Sequence, residues 1–314
     1  MVLQDMKLRI IFMGTPDFAV PSLDVLVQNG YEVVAVITSA DKLGGRGRNQ
    51  LLESPVKKYA VSKGIPVLQP LNLKAPAFLE ELRSYQANLQ IVVAFRMLPE
   101  LVWNMPAIGT FNLHGSLLPK YRGAAPINWA IINGDKETGV TTFFLQHQID
   151  TGNILFQEKI PIKPDETAGE LHDQMMELGA QVVLKTVKSV ERNDIHPAVQ
   201  DETLASHAPK IFHETCMIDF NLSPTKLHDF VRGMNPYPAA WTMLDGLEFK
   251  ILRSSPEIAA HSYPNGQLLS DQKSYLKYTV TGGFLNVLEL QLQGRKRMGI
   301  RDFLNGYKVV FNNF

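Results

Sequence analysis

The sequence predicts an α/β protein: a Rossmann-like, doubly wound and mostly parallel sheet, followed by a small, OB-like β-barrel domain. Three observations predict it. Apolar β-like runs alternate with helical patterns over residues 1–192. A polar stretch without periodicity follows, over 193–206. Short β-like runs punctuated by glycine turns fill 207–314. Strands separated by short helices imply parallel crossovers, and many short strands with turn residues imply a sandwich or barrel.

The first run, 8–13, is apolar and stops at Gly14, as a buried strand does. Residues 17–28 space Phe18, Val20, Leu23, Leu26 and Val27 along one helical face, with Pro21 in the first turn and Asn29-Gly30 as the stop. A β-branched strand is expected at 33–37, a helix at 55–63, a short strand at 66–68 and a helix at 76–84 that opens on Pro76. Strands follow at 91–95 and 109–114, a helix at 126–133, and strands at 141–145 and 154–162. A long helix is expected at 166–191, from apolar Leu171, Met175, Leu178, Val182 and Val187. The polar stretch 193–206 reads as a linker between domains 1–192 and 207–314. In the second domain a helix is expected at 223–233, with Ser223 as N-cap and Pro224 at the first helical position. Strands are expected at 242–244, 249–252, 276–280, 284–290 and 308–311, between turns at Gly246, Asn265-Gly266, Gly282-Gly283 and Gly294.

The length, 314 residues, accommodates two domains. Apolar residues at 45% and charged residues at 20% exclude a largely disordered chain. No apolar run approaches the ~18 residues of a membrane helix, and Met1–Lys7 lacks the pattern of a secretory signal, so no membrane partner and a cytoplasmic location are expected. The single cysteine, Cys216, forms no intrachain disulfide or multi-cysteine zinc site and reads as a small apolar residue. No metal is expected. Basic and acidic residues balance at 31 each, which taken alone argues against a nucleic-acid partner.

Gly14-Thr-Pro-Asp17 follows the first strand, where a dinucleotide fold places its phosphate loop. It lacks the glycines that let a backbone approach a pyrophosphate, which counts against NAD; Thr15 reads as a helix cap. The richest segment is Phe111-Asn-Leu-His-Gly-Ser-Leu-Leu-Pro-Lys-Tyr-Arg-Gly-Ala-Ala-Pro126. Asn112 and His114 are two apart on a strand, hence on one face, near the carboxyl end where open α/β sheets place ligand crevices. An asparagine amide can donate to a developing oxyanion, and a histidine can do so or move a proton near neutral pH. Asp150 could fix the imidazole's orientation from a second loop. The segment 39–53 is polar, aperiodic and contains Gly45-Arg-Gly-Arg48, whose arginines suit phosphate or base contacts. Arg295, Lys296 and Arg297 form a compact basic cluster, with Arg301 four residues on.

Asn112-x-His114-x-Ser-Leu-Leu-Pro119, Arg122-Gly-Ala-Ala-Pro126 and Asp150-Thr-Gly152 resemble the formyltransferases that use 10-formyltetrahydrofolate. The wider match resembles the methionyl-tRNA formyltransferase family: Phe12-Met-Gly-Thr-Pro-Asp-Phe-Ala19, Gly45-Arg-Gly-Arg48 through Ser54-Pro-Val-Lys57, Ile218-Asp-Phe220, Arg232-Gly-Met-Asn-Pro-Tyr-Pro238 and Gly294-Arg-Lys296. The resemblance implies formyl transfer from 10-formyltetrahydrofolate to the α-amine of methionyl-initiator tRNA, by a monomer without metal. It implies that Asn112 and His114 donate to the oxyanion while Asp150 holds His114 and helps remove the amine's proton. Ser116, Leu117, Leu118 and Pro119 become the folate loop, its two leucines an apolar wall. Arg46 and Arg48 would enter the tRNA acceptor end, and Arg295–Arg297 would bind tRNA. Two departures stand out. Phe95-Arg-Met-Leu-Pro99 puts Arg96 where the family carries Tyr-Gly, and Gln146-His-Gln-Ile149 adds His147 beside the site, read as a surface residue.

Competing expectations are a formyltransferase for an amino sugar-nucleotide or another small amine, and an RNA-binding protein on an inactive scaffold. The second domain opposes a single-domain glycinamide ribonucleotide enzyme; the arginine loop and the basic cluster oppose a sugar-nucleotide enzyme. Charge is split along the chain. Residues 206–314 carry 12 basic and 9 acidic residues, net +3, and residues 1–205 carry 19 and 22, net −3. That split, with clustered arginines, fits local contacts to one tRNA better than a general affinity for nucleic acid.

Overall fold

The computed structural model describes residues 7–44 and 50–308. Contacts divide the chain into two compact units: 1–123, 139–160 and 172–207 in one, and 124–138, 161–171 and 208–314 in the other. The sequence reading of 124–138 and 161–171 as parts of the first domain is therefore not how the contacts group them.

The first unit holds β1 (Arg9–Gly14), α1 (Val20–Gln28), β2 (Glu32–Ile37), β3 (Lys42–Gly44), β4 (Gln50–Leu52), α2 (Pro55–Ser62), β5 (Val67–Leu68), α3 (Pro76–Ser84), β6 (Leu89–Val93), α4 (Glu100–Trp103), β7 (Gly109–His114) and β8 (Arg122–Gly123). After α5 (Pro126–Ile132) come β9 (Glu137–Phe144), β10 (Ile154–Pro161), α6 (Ala168–Glu191) and β11 (His207–Ala208). The main sheet has the order β10-β9-β7-β6-β1-β2-β5. β7, β6, β1, β2 and β5 pair in parallel, and β9 runs antiparallel to β7. The strand order reverses between β1 and β6, which makes their carboxyl ends the switch point where such sheets bind ligands. β1 is buried from Ile10 to Gly14, as a parallel strand covered on both faces must be. Its end is tight: a Cβ on Gly14 would lie 2.7 Å from that of Ala19. Thr15 does not cap the following turn; Asp17 accepts from the Phe18 N–H at 3.0 Å instead. The 39–53 segment, expected as an aperiodic loop, is a β3–β4 hairpin at its base. Lys57 clamps both legs by pairing with Asp41 and, at 2.8 Å, with Glu53. Three-residue strands carry no alternation for a sequence reading to detect.

The second unit contains α7 (Pro224–Met234), β12 (Ala240–Leu244), β13 (Leu247–Ile258), β14 (Leu268–Ser270), β15 (Leu276–Val280), β16 (Gly283–Leu292), β17 (Met298–Gly299) and α8 (Ile300–Gly306). Its antiparallel sheet, β12-β13-β16-β15-β14 with β17 on β16, is the expected small barrel in an open form, since β12 and β14 are both edges. Register shifts at Ile251–Ser254 bend β13. Leu227, Val231 and Met234 of α7 close the core over Phe249, Ile251, Leu285 and Leu290. Ser223 caps α7 and Pro224 starts it, as expected. The strand expected at 308–311 falls, after its first residue, outside the described residues, and α8 had no forecast in the sequence.

Candidate active site

β7 brings Asn112 and His114 to one face of the sheet, beside the switch point. Asn112 is half-buried; His114 is 6% exposed. The imidazole is held by the chain that follows it. His114 Nε2 lies 2.8 Å from the Tyr121 carbonyl oxygen. A carbonyl only accepts, so Nε2 carries the proton and Nδ1 is left for chemistry. Phe143 meets the ring edge-on at 6.5 Å.

Asp150 Oδ2 is 3.8 Å from His114 Nδ1, beyond hydrogen-bond reach, while accepting from the Gly123 N–H at 2.8 Å. The sequence reading that Asp150 orients the imidazole therefore needs correction: the Tyr121 carbonyl does so. Asp150 places a carboxylate where a proton on Nδ1 would face it. A neutral Nδ1 is an acceptor, as is the carboxylate, which accounts for the longer separation.

Both loops are bent into the left-handed region, at φ +61° for Tyr121 and +57° for Asp150. Aspartate tolerates that conformation, but for tyrosine it is a strained one that neighbours must enforce. The enforcement comes from 198–206, which the sequence presented as a linker. Ser206 Oγ accepts from the Tyr121 N–H at 2.9 Å, and its carbonyl accepts from the Arg122 N–H at 2.9 Å. Gln200 donates to the Asp150 and Gly152 carbonyls and accepts from Arg122, whose guanidinium also pairs with Glu202. The hydrogen bond to Arg122 holds the Glu202 carboxyl below its usual range. Little in the residue types of 198–206 signals these contacts, because half of them end on backbone atoms and the other half on one arginine about 80 residues away.

The Ser116–Pro119 loop is tied from β9 and β10. Thr141 Oγ1 donates to the Ser116 carbonyl at 2.6 Å and accepts from the Leu118 N–H at 3.1 Å; Gln157 donates to the Leu118 carbonyl at 2.8 Å. Ser116 Oγ donates to the Lys120 carbonyl at 2.6 Å. Ser116 and Leu118 are both buried, so the apolar wall expected from two leucines is narrower: Leu117 and Pro119 are the half-buried members. That pairing of apolar side chains with an internally satisfied backbone fits one edge of a flat ligand.

Arg96 is exposed and donates to the Pro70 and Leu71 carbonyls. His147 is exposed, 3.4 Å from Glu100, as a surface histidine. Cys216 is buried and free, with burial pushing its thiol up. Arg46 and Arg48 lie outside the described residues. In the second unit Arg295, Lys296 and Arg297 occupy the exposed turn between β16 and β17. Arg297 donates to Glu289, and Arg295 lies 5.6 Å from the Tyr307 ring. Among the described residues no group of acidic, histidine or cysteine side chains could hold a metal ion.

Residues 6–187 match the formyl transferase family and 210–308 match the formyl transferase C-terminal domain. The chain is 56% identical over 313 residues to a methionyl-tRNA formyltransferase of Parabacteroides distasonis, covering 96% of this chain and 97% of that protein. It is 54% identical over 316 residues to one of Phocaeicola vulgatus, covering 98% of each. Among solved structures it is similar in fold to a sugar 3N-formyl transferase solved with dTDP and 5-N-formyl-THF, at TM-score 0.66 and 21% identity over 93% of this chain and all of that one.

Proposed function

The chain belongs to the methionyl-tRNA formyltransferase family, and we propose that it transfers the formyl group of 10-formyltetrahydrofolate to the α-amine of methionyl-initiator tRNA. The observation that carries this reading is the convergence of Asn112, His114 and Asp150 in one unit, in a chain with nearly full-length relatives of that name. The folate supplies an activated formyl group on a good leaving nitrogen. The Asn112 amide donates to the formyl oxygen as negative charge develops there. His114 acts through Nδ1, because Nε2 is committed to Tyr121. It takes up the proton lost by the attacking amine, and the Asp150 carboxylate stabilises the resulting imidazolium across 3.8 Å. As the tetrahedral intermediate collapses, the bond from the formyl carbon to N10 breaks and the imidazolium returns the proton to N10, so that tetrahydrofolate leaves neutral and His114 is restored. The amine is itself a competent nucleophile once neutral, so no covalent enzyme intermediate is required.

Leu117 and Pro119, with the backbone between Ser116 and Pro119, line the folate. Ser116 and Leu118 act from inside by holding that loop in shape. Arg46, Arg48, Arg295, Lys296 and Arg297 contact tRNA. The protein works as a monomer in the cytoplasm, where charged tRNA and reduced folate occur together. No helix among the described residues is long and apolar enough to cross a membrane.

The test is direct. The protein is incubated with 10-formyltetrahydrofolate and, in parallel, charged initiator tRNA, glycinamide ribonucleotide or an amino sugar-nucleotide, and formylation of each is followed. Turnover on charged tRNA well above the others is the expected result; turnover on a small amine alone would replace the reading with the sugar-nucleotide one.

A further inference from the structure

Gln200 is 5% exposed and uses every hydrogen-bonding position of its carboxamide. Its Nε2 donates to the Asp150 carbonyl at 2.9 Å and to the Gly152 carbonyl at 2.8 Å. Its Oε1 accepts from Arg122 Nε at 3.1 Å and Nη2 at 2.7 Å. Arg122 is in turn neutralised by Glu202, two residues beyond Gln200, through hydrogen bonds of 2.8 and 2.7 Å.

This one side chain therefore joins the two loops that face His114. The 121–123 loop presents the Tyr121 carbonyl to Nε2, and its Gly123 N–H fixes the Asp150 carboxylate. The 150–152 loop presents that carboxylate to Nδ1. Each loop contains a residue at positive φ, which relaxes unless something outside the loop holds it. Two N–H donors on the Asp150 and Gly152 carbonyls of one loop, and two bonds accepted from Arg122 of the other, are such a hold. A buried amide with all its bonds made is rigid, and losing it leaves two carbonyls and a guanidinium short of partners.

We infer that Gln200 is a positioning residue for formyl transfer: by clamping the Asp150 and Arg122 loops together, it sets the placement of Asp150 against the His114 imidazole. The inference rests on the formyl-transfer reading. Being buried, Gln200 has no surface for either substrate, so its effect belongs on the chemical step and not on binding.

The test compares Gln200→Met, which keeps the length and removes the amide, with Gln200→Glu. The glutamate keeps an acceptor for Arg122 but has no N–H for the two carbonyls, and it guards against a methionine variant that does not fold. Both are assayed with wild type, with kcat and KM separated for charged tRNA and folate, and the His114 ring is followed by nitrogen-15 NMR. The expected result for each folded variant is a kcat reduced by about 10²-fold, the scale of an ångström's misplacement, with both KM values within about twofold and altered His114 ring shifts. Wild-type kcat in either folded variant, or a loss carried by KM alone, would overturn the inference. Absence of turnover by wild type on any tested amine would instead sink the formyl-transfer reading, and unchanged His114 shifts in the variants would then overturn the positioning role by itself.

Discussion

His114 is buried and Asp150 half-buried, on and beside two loops that each hold a residue at positive φ, with the imidazole and the carboxylate both tied to backbone partners. Arg295, Lys296 and Arg297 sit on a turn open to solvent, and one of the three is tied to a carboxylate. The difference fits the role proposed for each region. Charge developing during a reaction is stabilised by donors already in place in a site that excludes water, where they are worth most. A phosphate backbone is bound by releasing counterions, which needs exposed and adaptable cations but little fixed geometry. One region must therefore be expensive to disturb and the other cheap.

The largest effect should come from the buried side. His114→Ala is expected to lower kcat by at least ~10²-fold while folate binding persists, as read in single-turnover assays. A rate within a few-fold of wild type would break the comparison at its centre. Asp150→Asn keeps an acceptor for the Gly123 N–H and removes the charge facing Nδ1. A loss of about 10²-fold in kcat with an unchanged melting temperature would assign the effect to charge and not to loop shape. Gly152 tests the packing of the same loop. A Cβ there would lie 1.6 Å from the Phe144 carbonyl oxygen, so Gly152→Ala should lower the melting temperature and activity together.

Smaller effects belong to the exposed turn. Replacing Arg295, Lys296 and Arg297 by alanine should raise KM for charged tRNA by about tenfold and flatten its dependence on salt, leaving kcat alone. Lys296→Ala should cost more than Arg297→Ala, since Arg297 must give up Glu289 before it can meet a phosphate. Equal kcat losses in the turn variants would contradict the division of labour.

The smallest effect is on stability. His228, buried on α7 in the second unit, has its imidazole pushed below the usual histidine range by burial, with the Arg232 guanidinium acting in the same sense against Asp229 and Asp165. The unfolded chain therefore takes up this proton first as pH falls. Stability should decline as pH drops below the ordinary histidine value of ~6.5, and level off once the folded ring is protonated too. His228→Asn should flatten that decline, as read from melting temperature against pH.

Much of the scaffold was legible because its signals are local. Pro76, Pro126 and Pro224 mark helix starts, Ser223 caps a helix, and the β7 run carries Asn112 and His114 two residues apart at a strand's end. The β3–β4 hairpin escaped a sequence reading because its strands are three residues long, and α8 because it follows directly on the two-residue β17 with Gly299 at its N-cap, where no side chain caps the helix.

By itself, the sequence determined the order of the longer strands and helices, the small β-barrel class of the second domain and the identity of the polar groups at the end of β7. Those depend on propensity, period and capping, which act over a few residues. Tertiary structure decided that the Tyr121 carbonyl and not Asp150 orients the imidazole, that Ser116 and Leu118 face inward, and that Gln200 clamps loops about 50 and 80 residues away in the chain. Such contacts run between distant segments and end mostly on backbone carbonyls and N–H groups, which every residue carries, so no residue type announces them.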